Sequence, residues 1–356
     1  MRRSRVWFDV PSPREGRYFS LLAEMARRAG LEVFMTARDH AETLKILDMV
    51  GERYVPVGRH GGRSKMGKLI AYVERALELA RLISEERPDV LVSLASPEAV
   101  RVAFGLGIPS ITLFDAPHAV HVARLTFPLS SRVVYPAAIP AHLLIDMGAS
   151  PASLRPFEGV DPVAWMKRAR PDPSPLLEMG LDLGSDLVLV RPEERKAAYL
   201  ADLDLEGSVT VSVVEEALSL GAKVILVPRY PDQRRFFAER FGGRVLIPER
   251  PFDAVSSYFF FSLVVSGGSS MAIEASLVGT PAISVFPLDA PLYDVEFVSR
   301  AGFPIWRIRD PGEAAELTAQ VLEDPERYRL TDYREMLSRL EDPSEVIMSE
   351  ILSLLD

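Results

Sequence analysis

Hydrophobic residues recur along this chain in two alternating patterns. Short continuous apolar runs, each ending on a polar residue or glycine, are separated by stretches whose apolar positions return every three or four residues. The first pattern reads as strands buried on both faces, the second as helices that cover them. In the first half, strands are predicted at residues 5–10, 31–35, 53–57, 89–94, 108–114 and 132–135, with helices at 17–29, 41–49, 65–86, 97–105 and 138–147. The second half repeats the scheme with strands at 187–190, 224–228, 245–247, 262–265, 282–286 and 305–308. Its helices are predicted at 209–220, 231–241, 269–278, 294–302 and 311–322.

The alternation pauses between residues 151 and 184, where six prolines fall. An interdomain linker is therefore expected at 156–184, between an N-terminal domain 1–155 and a C-terminal domain 185–342. A final helix follows at 343–356. The fold class is α/β: two doubly wound, Rossmann-like parallel-sheet domains facing across a cleft. A length of 356 residues suits two cores better than one. Ligands of such sheets sit at the carboxyl ends of strands, which directs attention to Asp9, Ser96 with Glu98, Asp115 with His118, Arg191 with Glu193, Arg229, and Ser266 through Ser270.

Composition narrows the setting. The net charge of −9 argues against nucleic acid or an anionic membrane as the main partner. Cysteine is absent, which removes disulfides, thiol nucleophiles and cysteine–zinc sites. No apolar run approaches the roughly 18 residues of a membrane-spanning helix, so no integral membrane segment is expected. The opening MRRSRVWFDV runs into a strand rather than a secretory h-region, which reads as a cytoplasmic protein. Asparagine is absent and glutamine occurs only at Gln233 and Gln320. Scarcity of thermolabile amides fits a thermophilic source, although GC-rich coding also favours arginine.

The densest chemistry lies in residues 264–286, VVSGGSSMAIEASLVGTPAISVF. A strand stops at Ser266-Gly267-Gly268, a helix opens with Ser269 and Ser270 and carries Glu274, and Gly279-Thr280-Pro281 leads into the next strand. Glycines let backbone N–H groups approach an anion, and the helix N-terminus adds positive potential. Glu274 stands where it can accept hydrogen bonds from ribose hydroxyls. The plainer alternative is a tight βαβ turn with capping serines. The string SGG-x5-EA-x3-G-x-P resembles the donor-nucleotide half of glycosyltransferase-B-type proteins, including nucleotide-sugar 2-epimerases. TARDHAETLKILD (36–48), GRHGGRSKMGKL (58–69), SPEAVRVAFGLGIPSI (96–111) and FDAPHA (114–119) are similar to a mostly archaeal family catalogued as domain of unknown function 354 and regarded as glycosyltransferase-B-like.

That resemblance covers nearly the whole chain. It implies a nucleotide-sugar substrate, a UDP-sugar first, with Ser266, Gly267, Gly268, Ser269, Ser270 and Glu274 binding the nucleotide. Arg191 and Arg229, each just after a strand, read either as forks onto phosphate oxygens or as surface ion pairs. It names no acceptor. No cofactor is expected, and no histidine cluster has metal-ligand spacing, so no metal is expected either. Asp115 and His118 read either as a carboxylate–imidazole base pair or as a helix cap beside an exposed histidine. Glu98 reads as a second cleft carboxylate or as the acidic first turn of a Ser-Pro-Glu helix start. Asp9 is placed with them on the acceptor side. Residues 58–68 form a basic, glycine-rich loop without the Walker spacing, either a flap over an anion or a solvated loop. Asp202-Leu203-Asp204 spells the metal–diphosphate D-x-D of another glycosyltransferase fold but lies away from the strand ends. A metal-independent glycosyltransferase is expected. A nucleotide-sugar 2-epimerase is the alternative, although its His-Arg pair is replaced here by Arg191-Pro192-Glu193 and the Gly268-to-Glu274 spacing is two residues longer. A non-catalytic nucleotide-sugar-binding protein is the third reading.

Overall fold

The computed structural model describes residues 3–40, 42–62, 64–193, 207–287 and 289–356. Two compact units partition the chain: Met1–Trp165 together with Glu341–Asp356, and Met166–Leu340. Each is a parallel sheet wound with helices.

The first unit's strands are β1 (Arg5–Val10), β2 (Glu32–Asp39), β3 (Val55–Arg59), β4 (Val90–Ser93), β5 (Ser110–Leu113), β6 (Arg132–Pro136) and β7 (Leu154–Phe157), in the order β3-β2-β1-β4-β5-β6-β7. β1 is central, and its side chains alternate between two packed faces. Trp7 joins a cluster with Leu79, Ile83, Leu91 and Val100, while Phe8 points the other way onto Phe19, with ring centroids 5.7 Å apart.

Three features depart from the sequence pattern. β2 runs on through the polar Thr36–Asp39, because its backbone is paired by β1 and β3 on either side. β7 was not predicted; its proline sits on an edge strand, where a missing N–H is tolerated. The stretch expected as linker holds short helices at Val163–Met166 and Ser174–Glu178. Its first part belongs to the first unit: Trp165 packs on Tyr18 at 5.3 Å between centroids, and Asp161 accepts a hydrogen bond from Arg14 at 2.8 Å. The last helix, Pro343–Leu355, buries Ile347 and Ile351 in that unit. Its Glu350 carboxylate bridges Arg132 and Arg155 at 2.9 and 3.0 Å.

The second unit repeats the winding with β8 (Leu187–Arg191), β9 (Lys223–Leu226), β10 (Val245–Leu246), β11 (Leu263–Ser266), β12 (Ala282–Ser284) and β13 (Ile305–Arg307), in the order β10-β9-β8-β11-β12-β13. Val188, Val190, Val224, Leu226 and Val265 pack against Val213, Val214 and Phe237 of the covering helices. In both units the strand order reverses between two neighbours, β1 and β4 in the first, β8 and β11 in the second. The loops diverge there and leave a crevice at the carboxyl edge.

Candidate functional site

In the second unit, the turn after β11 lies at this switch point. Ser266 is in register with Arg191, and the Gly267 N–H donates to the Arg191 carbonyl at 2.8 Å. A Cβ on Gly267 would stand 2.2 Å from the Glu193 Cα, so no other residue fits between the two loops. Gly268 is the N-cap of helix Ser269–Leu277 and provides no side-chain cap. Ser269 and Ser270 are thus the first helical residues, and the capping alternative for them does not hold. Ser266 is buried, and its Oγ accepts the Gly268 N–H at 3.3 Å, which places that hydroxyl inside the turn.

Arg229 follows β9 and reaches this turn. Its Nη2 lies 3.2 Å from where a Gly268 Cβ would stand, and its Nε donates to the Pro192 carbonyl at 3.3 Å. Gln233 holds both loops, accepting from the Arg229 N–H and donating to the Glu193 carbonyl. One turn into the helix, Glu274 accepts a hydrogen bond from the Tyr258 hydroxyl at 2.7 Å, which fixes its carboxylate. The turn therefore gathers helix N–H groups, a guanidinium and an oriented carboxylate, the donors and acceptor that a nucleoside diphosphate requires. Gln233 and Tyr258 carried no functional signal in the sequence, whereas Glu193 did, from its place after a strand end. Glu193 is buried and accepts from the Thr210 N–H at 3.1 Å and the Thr210 hydroxyl at 2.5 Å, tying the loop to the next helix. Asp202-Leu203-Asp204 lies outside the described residues, as does Arg63 of the basic loop.

In the first unit, the charged residues gather at the carboxyl ends of β1, β4 and β5 and on the helices that reach them. Asp9 is fully buried. Arg75, also fully buried, reaches it from helix Lys65–Glu86 with Nη2 at 2.6 Å and Nη1 at 3.2 Å. Thr36 donates to the same carboxylate at 2.6 Å, and Trp7 Nε1 donates to Thr36 at 2.8 Å. Burial opposes the Arg75 charge, but Asp9 outweighs it and raises the pKa. Asp9 is thus the counter-ion of Arg75 rather than an accessible base. Ser96 turns its hydroxyl to Arg75 at 3.3 Å instead of capping the helix that follows. Glu98, in that helix's first turn, lies 3.6 Å from Arg38 and 3.8 Å from Arg75.

Asp115 is ion-paired with Arg14, which also holds Asp161. Burial works against the Arg14 charge, yet the two aspartates raise its pKa above the usual value. His118 is exposed, but the protein around the ring still removes enough water to lower its pKa, opposed by the Asp115 charge. It is neutral near pH 7 and can accept a proton. Glu15 escaped the sequence reading, although Ser12-Pro13-Arg14-Glu15 has capping-box spacing. It is buried, takes a 2.5 Å hydrogen bond from the Ser12 hydroxyl, and burial pushes its pKa up to about 7. Among the described residues, no group of three or more His, Asp and Glu is placed to hold a metal ion.

Known proteins share this fold. A UDP-GlcNAc 2-epimerase from Methanocaldococcus jannaschii, solved with UDP-GlcNAc and UDP, superposes with a TM-score of 0.69 at 13% identity, over 98% of this chain and 99% of that one. The Neisseria meningitidis UDP-GlcNAc 2-epimerase bound to UDP-GlcNAc gives 0.65 at 14% identity, over 98% and 100%. Spinosyn forosaminyltransferase SpnP gives 0.62 at 16% identity, over all of both chains. These likenesses establish the fold that glycosyltransferase-B enzymes and these epimerases share. In sequence, the chain is 27% identical over 287 residues to the uncharacterized protein MJ0665 of Methanocaldococcus jannaschii, covering 79% of this chain and 82% of that protein. With residues 4–356 matched, the chain belongs to the family described as protein of unknown function DUF354.

Proposed function

We propose that the second unit binds a nucleoside diphosphate sugar, a UDP-sugar first, and that the protein is a metal-independent glycosyltransferase. The observation that carries this is the turn Ser266–Ser270 at the switch point, where only glycine fits at Gly267 and Arg229 lies against Gly268. The N–H groups opening helix Ser269–Leu277, with Arg229 and Arg191, would hold the diphosphate. Glu274, oriented by Tyr258, would accept from the ribose hydroxyls. In transfer, the acceptor oxygen bonds to the anomeric carbon and the bond to the diphosphate oxygen breaks. Arg229 and the N–H groups take the charge on the leaving diphosphate, and the acceptor's proton passes to a general base, for which His118 is the candidate within the first unit. Asp115, beside Arg14, would stabilise the resulting imidazolium.

A 2-epimerase is the second reading, favoured by the higher TM-scores of the two epimerases over the transferase. The test is calorimetry and thermal unfolding with UDP, GDP, CDP, dTDP, ADP and their sugar conjugates. At a hundredfold excess over Kd, a ligand specific to the folded state adds about 2.7 kcal/mol of stability. Stabilisation by one nucleotide, lost in Glu274→Ala, supports the donor site; a panel without effect on the wild type defeats it. Solvent deuterium entering the sugar at C2 without an acceptor would select the epimerase.

A further inference from the structure

Helix Lys65–Glu86 turns two unlike faces outward and inward. Arg75, Leu79 and Ile83 are buried against the first unit's sheet. On the outer face Met66, Leu69, Ile70 and Val73 are 66%, 57%, 49% and 56% exposed. Their spacing of i, i+3, i+4 and i+7 makes one continuous apolar stripe. Leu77, 52% exposed, extends the stripe to where Glu74 and Glu78 are also exposed, but the segment before it carries charge of one sign. Residues 53–73 contain Arg53, Arg59, Arg63, Lys65 and Lys68 and no aspartate or glutamate, in a chain whose net charge is −9. Lys65 and Lys68 are exposed beside the stripe, and so are Arg59 and His60 just before it. Ser64 caps the helix by accepting the Gly67 N–H at 2.9 Å, so its first turn is formed. The Gly61 backbone packs directly on Gly67, which folds the basic loop onto that turn. The helix's acidic residues, Glu74, Glu78, Glu85 and Glu86, all lie beyond Val73.

We propose that the N-terminal half of this helix, with the loop before it, docks on an anionic lipid bilayer. Met66, Leu69, Ile70 and Val73 would enter the headgroup–acyl boundary while Arg59, Lys65 and Lys68 contact the anionic headgroups. A basic rim beside an exposed apolar stripe is complementary to that surface in both charge and polarity. The chain's total charge does not oppose this, because screening confines each charge to about 10 Å at 0.1 M salt. The helix lies on the bilayer rather than across it: no described helix is long and apolar enough to span. The docking is independent of the donor chemistry in the second unit.

The test is co-sedimentation of the full chain with phosphatidylcholine vesicles, with and without phosphatidylglycerol. The protein pellets with the anionic vesicles and is released by high salt. Each of Lys65→Gln and Lys68→Gln lowers the partition coefficient roughly five-fold, and Leu69→Ser with Ile70→Ser abolishes binding. All these sites are exposed, so unchanged thermal midpoints verify that the variants fold. The proposal is overturned if anionic vesicles capture nothing, or if the serine variant binds like the wild type. It is equally overturned if sedimentation velocity shows a wild-type dimer that the serine variant dissociates, which would assign the stripe to a second copy.

Discussion

Replacing Glu15 by glutamine removes a carboxyl that the fold prefers to keep protonated. Glu15 is 3% exposed, at the start of the helix after β1. Loss of hydration raises its pKa from 4.5 to about 7, more than the Ser12 hydrogen bond, its own backbone, Arg14 and Arg38 lower it. Between those two values the folded chain binds a proton that the unfolded chain has released. Stability is therefore fully present below pH 4.5 and falls as pH rises through about 7. The displacement corresponds to about 3 kcal/mol lost by pH 8. Glutamine keeps the shape and a polar end without the charge, so the variant should lose this slope. At pH 8 it should gain up to about 3 kcal/mol over the wild type, and near pH 5 less than about 1 kcal/mol. The assay is denaturant unfolding from pH 5 to 9, followed by tryptophan emission in a Trp306→Phe background, which leaves Trp7 and Trp165 of the first unit as reporters. Parallel stability curves for the two proteins across that range would refute the reasoning.

Arg75→Met should destabilise the first unit by about 3–5 kcal/mol, because it strands the buried Asp9 carboxylate. Adding Asp9→Ala should recover part of the loss, and unfolding midpoints for the wild type and the two variants check this. Gly267→Ala should weaken nucleotide binding at least ten-fold and lower the melting midpoint, since its Cβ would stand 2.2 Å from the Glu193 Cα; calorimetry on the purified variant measures both. Once a transfer assay exists, the acid limb of kcat/KM should fall below pH 6.5, the ordinary histidine value, because burial lowers the His118 pKa. A limb that stays in place in His118→Gln would remove that residue from the mechanism.

Apolar runs and helical spacing sufficed to place two parallel sheets, because strands buried on both faces leave no room for polar residues. The glycine turn after β11 was equally legible: strand, Gly-Gly and helix follow one another in the chain, and the close approach to Glu193 only explains why glycine stands there. Local pattern failed where partners come from far away. Asp9 reads as a candidate base from its strand-end position, yet Arg75, 66 residues later, neutralises it. Asp115 stands beside His118 in sequence, but its ion-pair partner Arg14 arrives from the first turn of the helix after β1. β7 was hidden by its proline, which only an edge position tolerates. Glu15 carried a capping-box signature, but burial rather than spacing sets its protonation. Chain pattern by itself determined the elements, the α/β class and the turn, because these depend on neighbours a few residues apart. Which carboxylates are locked in ion pairs, which is held protonated, and which apolar stripe faces outward were decided only by tertiary packing, because desolvation and charge pairing depend on distances in space rather than along the chain.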